Sequence, residues 1–303
     1  KGAKSRYYPV ELSSVLDEIR MRQGYYAVVA VPCMIKAIQL LRYHDPVLRE
    51  RIRFTLGLFC GHMKSAFFAE SIAMQMKVQL KKVRQIDYRH KLPDRPANWY
   101  NARLILTDGS SVSKDWWKLK DGDWGAGFFM NNACNYCDDI VAETADISFG
   151  DAWIEPYFSD GMGTNVIVVR SHEIQRIIDA GMGERRIALT PVVADVVAKT
   201  QAAGFRQRRE GLSYRLTWIH NGIRPLKRVS PDSSKITSQR KRIYRFRYHI
   251  SKWSHRIFRI SRIMRWPFIY LFWARIVISV YHGIAYHNGN TSEMLKRFSG
   301  LRR

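Results

Sequence analysis

YYAVVAVPC, residues 25–33, is a continuous apolar run that opens after Gly24 and closes on Pro32 and Cys33. A run of this length bounded by Gly and Pro reads as a buried strand, and MIKAIQLLRYH (34–44) continues it as a helix begun at Cys33. The same order of events recurs at once. ERIRFTLGLFC (50–60) is a second strand ending at Cys60-Gly61, followed by the helix KSAFFAESIAMQM (64–76). Two successive strand-loop-helix units predict a parallel sheet whose connecting loops present Cys33 and Cys60 on one edge. Ligands collect on that edge in α/β proteins.

Upstream, ELSSVLDEIRMRQ (11–23) carries Leu12, Val15, Leu16 and Ile19 at helical spacing, and Gly24 stops it. Downstream the pattern changes. VRQIDYRH (83–90) and ARLILTDGSSVSKDWW (102–117) alternate, and Asp108-Gly109 supplies a hairpin turn, so an antiparallel portion is inserted. GTNVIVVRS (163–171) is a further strand, HEIQRIIDAG (172–181) a helix capped by Gly181, and IALTPVVADVVAKTQ (187–201) a strand and then a helix. The expected class is α/β, a mixed sheet of parallel strand-loop-helix units with an antiparallel insertion, followed by a basic α-helical tail.

The chemistry concentrates in CNYCDDIVAETADISFGDAW, Cys134 to Trp153. The C-x-x-C of Cys134 and Cys137 places two thiolates close enough to share one metal. The acids Asp138, Asp139, Glu143 and Asp146 stand out in a chain of net charge +24. With Cys33 and Cys60 these are all four cysteines of the protein, enough for one 4Fe-4S cluster or one structural zinc. From the residues alone both remain open.

V-P-C-M-I-K-A, G-L-F-C-G-H-x-K-S, C-N-Y-C-D-D and A-D-I-S-F-G-D-A-W, in that order, resemble the C-terminal domain of the coenzyme F-420 hydrogenase/dehydrogenase beta-subunit family. The resemblance covers roughly residues 5–175. It implies a flavoprotein that pairs FAD with iron–sulfur chemistry, with Cys33, Cys60, Cys134 and Cys137 as cluster ligands. It also implies a redox partner protein, or an additional N-terminal cluster region of the kind family members carry. It names no electron acceptor.

Under that reading Gly150, Asp151 and Trp153 form a turn where backbone N–H groups and a carboxylate approach the flavin, and Thr164 and Asn165 follow in a polar glycine loop suited to a phosphate or ribityl contact. The same features also make a tight strand exit. Lys64 and Ser65 at a helix start, with Arg89 in DYRHK, are candidates for holding an anion. His62, beside Cys60, is a candidate proton donor and Asp151 its companion in catalysis. No G-x-G-x-x-G, P-loop, Ser-His-Asp or H-E-x-x-H pattern supports a dinucleotide fold, an NTPase or a hydrolase.

At 303 residues and 46% hydrophobic content the chain can bury a full core. Four cysteines without a disulfide-scaffold spacing indicate a reducing compartment, so a cytoplasmic location is expected. The expected division is 1–204 for the iron–sulfur and flavin domain, 205–239 for a basic linker and 240–303 for a basic helical tail. From Lys227 onward 18 Lys and Arg face only Asp232 and Glu293, so most of the charge lies in the last quarter. Ile243, Phe246, Ile250, Trp253, Ile257, Ile260 and Met264 mark an apolar stripe among arginines, which predicts an amphipathic helix ended or kinked by Pro267. The stretch 267–286 is long enough to cross a bilayer, but Arg275 near its middle makes it interfacial or packed on protein. The tail therefore points to an anionic membrane surface, on the inner face of the membrane, or to a partner helix, ahead of nucleic acid. A colourless zinc protein whose tail binds lipid or nucleic acid is the alternative from another class.

Overall fold

The computed structural model describes Tyr7 and residues 10–219 and 225–286; the remainder of the expected tail, of the linker and of the N-terminal stretch lies outside the described residues. Helix α1 (Ser13–Met21) leads into β1 (Tyr26–Ala30), α2 (Pro32–His44), α3 (Pro46–Arg51), β2 (Ile52–Leu58) and α4 (Phe67–Gln75). Pro32 and Pro46 both sit at the first helical position, where a missing N–H costs nothing, and Asp45 caps α3 by accepting from the Leu48 N–H. An antiparallel sheet of β3 (Val83–His90), β4 (Asn101–Leu106) and β5 (Ser111–Asp115) follows, joined as expected through Asp108-Gly109.

β6 (Ile147–Asp151) returns to the first sheet and pairs parallel with β2, as β1 does on its other side. β7 (Asn165–Val169) closes the order β1-β2-β6-β7 antiparallel to β6. As an edge strand β1 is covered on one face only, so Val28 and Ala30 enter the core while Val29 remains exposed. The apolar run is therefore half-buried, not wholly buried. Leu16, Ile19, Ile35, Ile38, Leu48 and Ile52 fill the space under this sheet.

α5 (His172–Gly183) runs two residues past the expected cap, and Gly181 instead lets Ile187 lie against the helix. Residues 187–193 form no strand: they are largely exposed, and Pro191 brings no N–H to a ladder. α6 (Ala194–Thr200), α7 (Ala202–Arg208) and α8 (Glu210–Leu216) follow, so the start of the stretch read as linker is helical, with Leu212, Tyr214 and Leu216 buried.

α9 (Ser238–Ile263) and α10 (Pro267–Tyr286) form an antiparallel hairpin that completes the larger core. The buried face of α9 is Tyr244, Ile250, Ser251, Ser254, Phe258 and Ser261; of the apolar stripe Ile250 is buried and Ile243, Phe246 and Ile257 pack on the core, but the face is rotated enough that Trp253, Ile260 and Met264 are exposed. The serines explain the rotation. Ser254 Oγ accepts from the Phe129 N–H at 2.8 Å and Ser251 Oγ donates to Met130 O at 2.9 Å, contacts that need small residues where the backbones approach. Phe258 meets Phe129 and Tyr270 with ring centroids 5.3 and 5.0 Å apart, and the Tyr270 hydroxyl donates to Asp121 at 2.8 Å. The hairpin is thus part of the folded body. Phe258→Ala should cost about 3–5 kcal/mol in urea unfolding through the cavity it leaves, whereas a tail docked only at its surface would lose less than about 1 kcal/mol.

Candidate functional site

The two strand-helix loops and the 131–137 turn bring all four cysteines to one end of the first sheet. Cys33 lies in the first turn of α2, Cys60 just past β2, and Cys134 and Cys137 in and after a single 3-10 turn whose Asn131 side chain accepts from the Ala133 N–H. Burial pushes the Cys60 thiol up to about 12, and Cys134, Cys33 and Cys137 push it the same way against the pull of Arg208. Burial likewise raises Cys33 and Cys134, each again sensing other thiols of the set. The thiols share one neighbourhood without a finished ligand sphere: among the described residues no three His, Cys, Asp or Glu side chains stand close enough to ligate an ion. Cys33, Cys137, Lys36, Asp138 and Lys227 border an open cavity of about 630 Å³.

Arg208, in α7, ties the loops together. It is 2% exposed, and its guanidinium donates to Cys134 O at 2.7 Å, to Cys60 O at 3.3 Å and to Gly61 O. Arg215, in α8, holds the same turn by donating to Asn135 O at 2.8 Å. Both lie in the stretch 205–239, which reads as a polar, basic linker, so neither stands out in the sequence.

The acids serve this scaffold. Asp146 accepts from the Thr55 N–H and hydroxyl, both at 2.8 Å, locking the end of the loop to β2. Asp139 accepts from the Val141 and Glu143 N–H groups, Asp138 pairs with Lys36 at 3.0 Å, and Glu143 pairs with Arg209 at 3.0 Å and with Arg228. Burial opposes ionisation of Asp138, but Lys36 and its other cationic partners hold the carboxyl below its ordinary range.

A second group of expected residues also converges. Arg89 donates to Asp151 at 2.9 Å and lies 5.3 Å from the ring centres of both Trp153 and Tyr100. Burial opposes its charge; Tyr7, Asp151 and Tyr100 outweigh that and hold the guanidinium above its ordinary range. Burial and Tyr7 raise the Tyr100 phenol. Gly150 is required by packing, since a Cβ there would stand 1.9 Å from the Phe59 ring. Thr164 spends its carbonyl on the Ala152 N–H, and Asn165 pairs with Asp151 across β6 and β7.

His62, Lys64 and Ser65 point elsewhere. The Ser65 N–H is taken by Phe129 O, and α4 begins two residues later. Lys64 is fully buried, donates to Phe128 O at 2.6 Å and sits over Phe68 and Trp124. His62 stacks on Trp124 with ring centres 4.4 Å apart and is 3% exposed; burial, then Lys64, keep the imidazole neutral. A buried neutral ring is a poor proton donor to a substrate. It is instead one link in a band of rings, because Trp124 also touches Tyr7 at 4.7 Å and Tyr7 touches Tyr88 at 5.3 Å. That band runs from the Cys60 loop towards the Arg89 group.

The α/β scaffold thus gathers four thiols at one sheet edge and, in a second group, a fixed arginine walled by aromatic rings. The chain belongs to the family described as the C terminus of the coenzyme F420 hydrogenase/dehydrogenase beta subunit, which it matches over residues 24–195. No curated protein matches it at a significant level. Among solved structures, a chain of the xenon-derivatised F420-reducing NiFe hydrogenase complex from Methanosarcina barkeri has the same fold at 19% identity, with a TM-score of 0.52 and 74% of each chain covered. The family makes this an oxidoreductase subunit, similar to the beta subunits of F420 hydrogenases.

Lys64 makes the buried centre titratable. Burial pulls its ammonium down to about 7 from an ordinary 10.5, so between those values the unfolded chain holds a proton that the folded one has released. Stability should therefore rise with pH across that window. Lys64→Met should flatten the rise, gaining on the order of a few kcal/mol at pH 7 and little at pH 10 in urea titrations. Parallel pH curves for the two proteins would place the Lys64 charge in contact with solvent.

Proposed function

We propose that the chain is an iron–sulfur flavoprotein subunit that binds one 4Fe-4S cluster through Cys33, Cys60, Cys134 and Cys137 and FAD beside Arg89, Asp151 and Trp153, and serves a redox partner protein in the cytoplasm. The observation that supports this most is the convergence of every cysteine in the chain, from three separate segments, on one end of the sheet. Bound together, a cluster and a flavin supply one-electron relay and two-electron chemistry.

The chain's own residues suit those tasks. Arg208 fixes the loops that carry Cys60 and Cys134 and brings a positive charge to a site where four thiolates would otherwise repel one another. Arg89, locked by Asp151 and flanked by Trp153 and Tyr100, is a fixed cation with flat apolar walls, suited to a planar, anionic cofactor. His62, Trp124 and Tyr7 fill the space between the two groups and keep water from it.

Protein purified without oxygen should absorb broadly in the visible and carry about four iron and four sulfide per chain. Cys60→Ser and Cys134→Ser should each bring iron close to zero; unchanged iron in both, or colourless protein holding zinc, removes the cluster reading. Asp151→Ala should lower flavin occupancy while iron stays in place. Flavin content equal to that of the parent would make Asp151 a purely structural partner of Arg89.

A further inference from the structure

α9 and α10 bury one face each, and among the described residues nothing covers the other. At the turn Ile263, Met264 and Trp266 are exposed, and on α10 Phe268, Phe272 and Ile276 continue the patch along one helical face, with side chains roughly half open or more. The rings of Trp266, Phe268 and Phe272 stack in series with centroids 6.0 and 5.3 Å apart, so the patch is continuous and not scattered. Apolar surface gathered this way on a soluble face is normally covered by something.

The charge around it says what. The hairpin carries eleven Lys and Arg and no Asp or Glu. Its outer side presents Lys252, Arg256, Arg259, Arg265 and Arg275, and none of these has an acidic partner among the described residues. Trp253 lies under Arg256 at 5.1 Å, an indole beside a cation at the border of the patch. An apolar ridge fringed by unpaired arginines, with tryptophans at the boundary, matches the layering of an anionic bilayer surface: acyl chains inside, headgroup phosphates around them. A protein partner with that pattern would need a matching acidic rim around an apolar groove, and no second copy of this chain can supply one from the hairpin.

We propose that the α9–α10 hairpin is a monotopic membrane anchor that lays Trp266, Phe268, Phe272 and Ile276 into the interface of an anionic bilayer while its arginines bind headgroup phosphates. α10 has the length and hydropathy of a span. It does not cross in this state, because Tyr270, Ala274 and Tyr281 on its other face are packed into the protein core. The inference is independent of which cofactors the body holds.

The test is flotation of the full chain with vesicles of phosphatidylcholine alone and of phosphatidylcholine with phosphatidylglycerol. Binding should be about tenfold or more tighter to the anionic vesicles and weaken as salt is raised. Phe268→Asp with Phe272→Asp, both on the exposed face, should abolish binding, and Arg259→Glu with Arg265→Glu should lower it about tenfold, each with an unchanged melting temperature. Leu40→Asp, at an exposed apolar residue of α2 outside the hairpin, should bind as the parent does. Should the aspartate pair disturb folding, brominated lipid replaces it as the probe: quenching of the parent's fluorescence should fall in Trp266→Phe. A folded parent that ignores anionic vesicles overturns the proposal. So does an aspartate pair that keeps vesicle binding or only turns an oligomer into a monomer.

Discussion

One buried guanidinium holds the thiol end of this protein together. Arg208 has left water entirely and donates to carbonyls on both sides of the site, Cys60 and Gly61 at the end of one strand and Cys134 in the turn that carries the C-x-x-C pair. Burying an arginine is expensive, and leaving its carbonyl partners unmet costs about 1–3 kcal/mol for each. Each side therefore needs the other. The loops keep their shape because α7 reaches between them, and α7 stays docked because only there is its charge satisfied.

This arrangement explains how a chain of such strong positive charge folds around a few acids. Asp138, Asp139, Glu143 and Asp146 do not gather as a metal-binding set; they are distributed to Lys36, to two backbone N–H groups, to Arg209 and Arg228, and to Thr55. The effect is to pin the segment between the C-x-x-C and β6 along its whole length. Arg208 and Arg215 bring positive charge to the thiol loops, and a site built from thiolates gains from it.

Much of the fold was readable because its signals are local. Gly24, Pro32 and the apolar runs of β1 and β2 fix two strand-helix units, and Asp108-Gly109 fixes the hairpin. Arg89, Asp151 and Trp153 were found from a short acid-aromatic turn and a basic strand end, and the structure brings them together. Arg208 escaped because its role depends on carbonyls 74 and 148 residues away, which no spacing in its own helix encodes. The face of α9 is legible only in part for a related reason: Ile243, Phe246, Ile250 and Ile257 meet the core, and the rest of the stripe does not. An apolar count favours Trp253, Ile260 and Met264, but close approach to residues 129 and 130 favours serine, and the hydrogen bonds of Ser251 and Ser254 decide the rotation. Lys64 was placed at a helix start by its neighbours in sequence, whereas its bridge to Met130 draws it inward beneath Trp124.

If Arg208 organises the thiol loops into one site, Arg208→Met should break it, since methionine keeps the bulk of the stem and removes the donors. Both proteins would be loaded with iron and sulfide without oxygen, and bound iron measured per chain beside far-ultraviolet circular dichroism. The parent should hold about four iron and the variant almost none, with helix content preserved. A variant that loads iron as the parent does would show that the thiols find one another without the guanidinium.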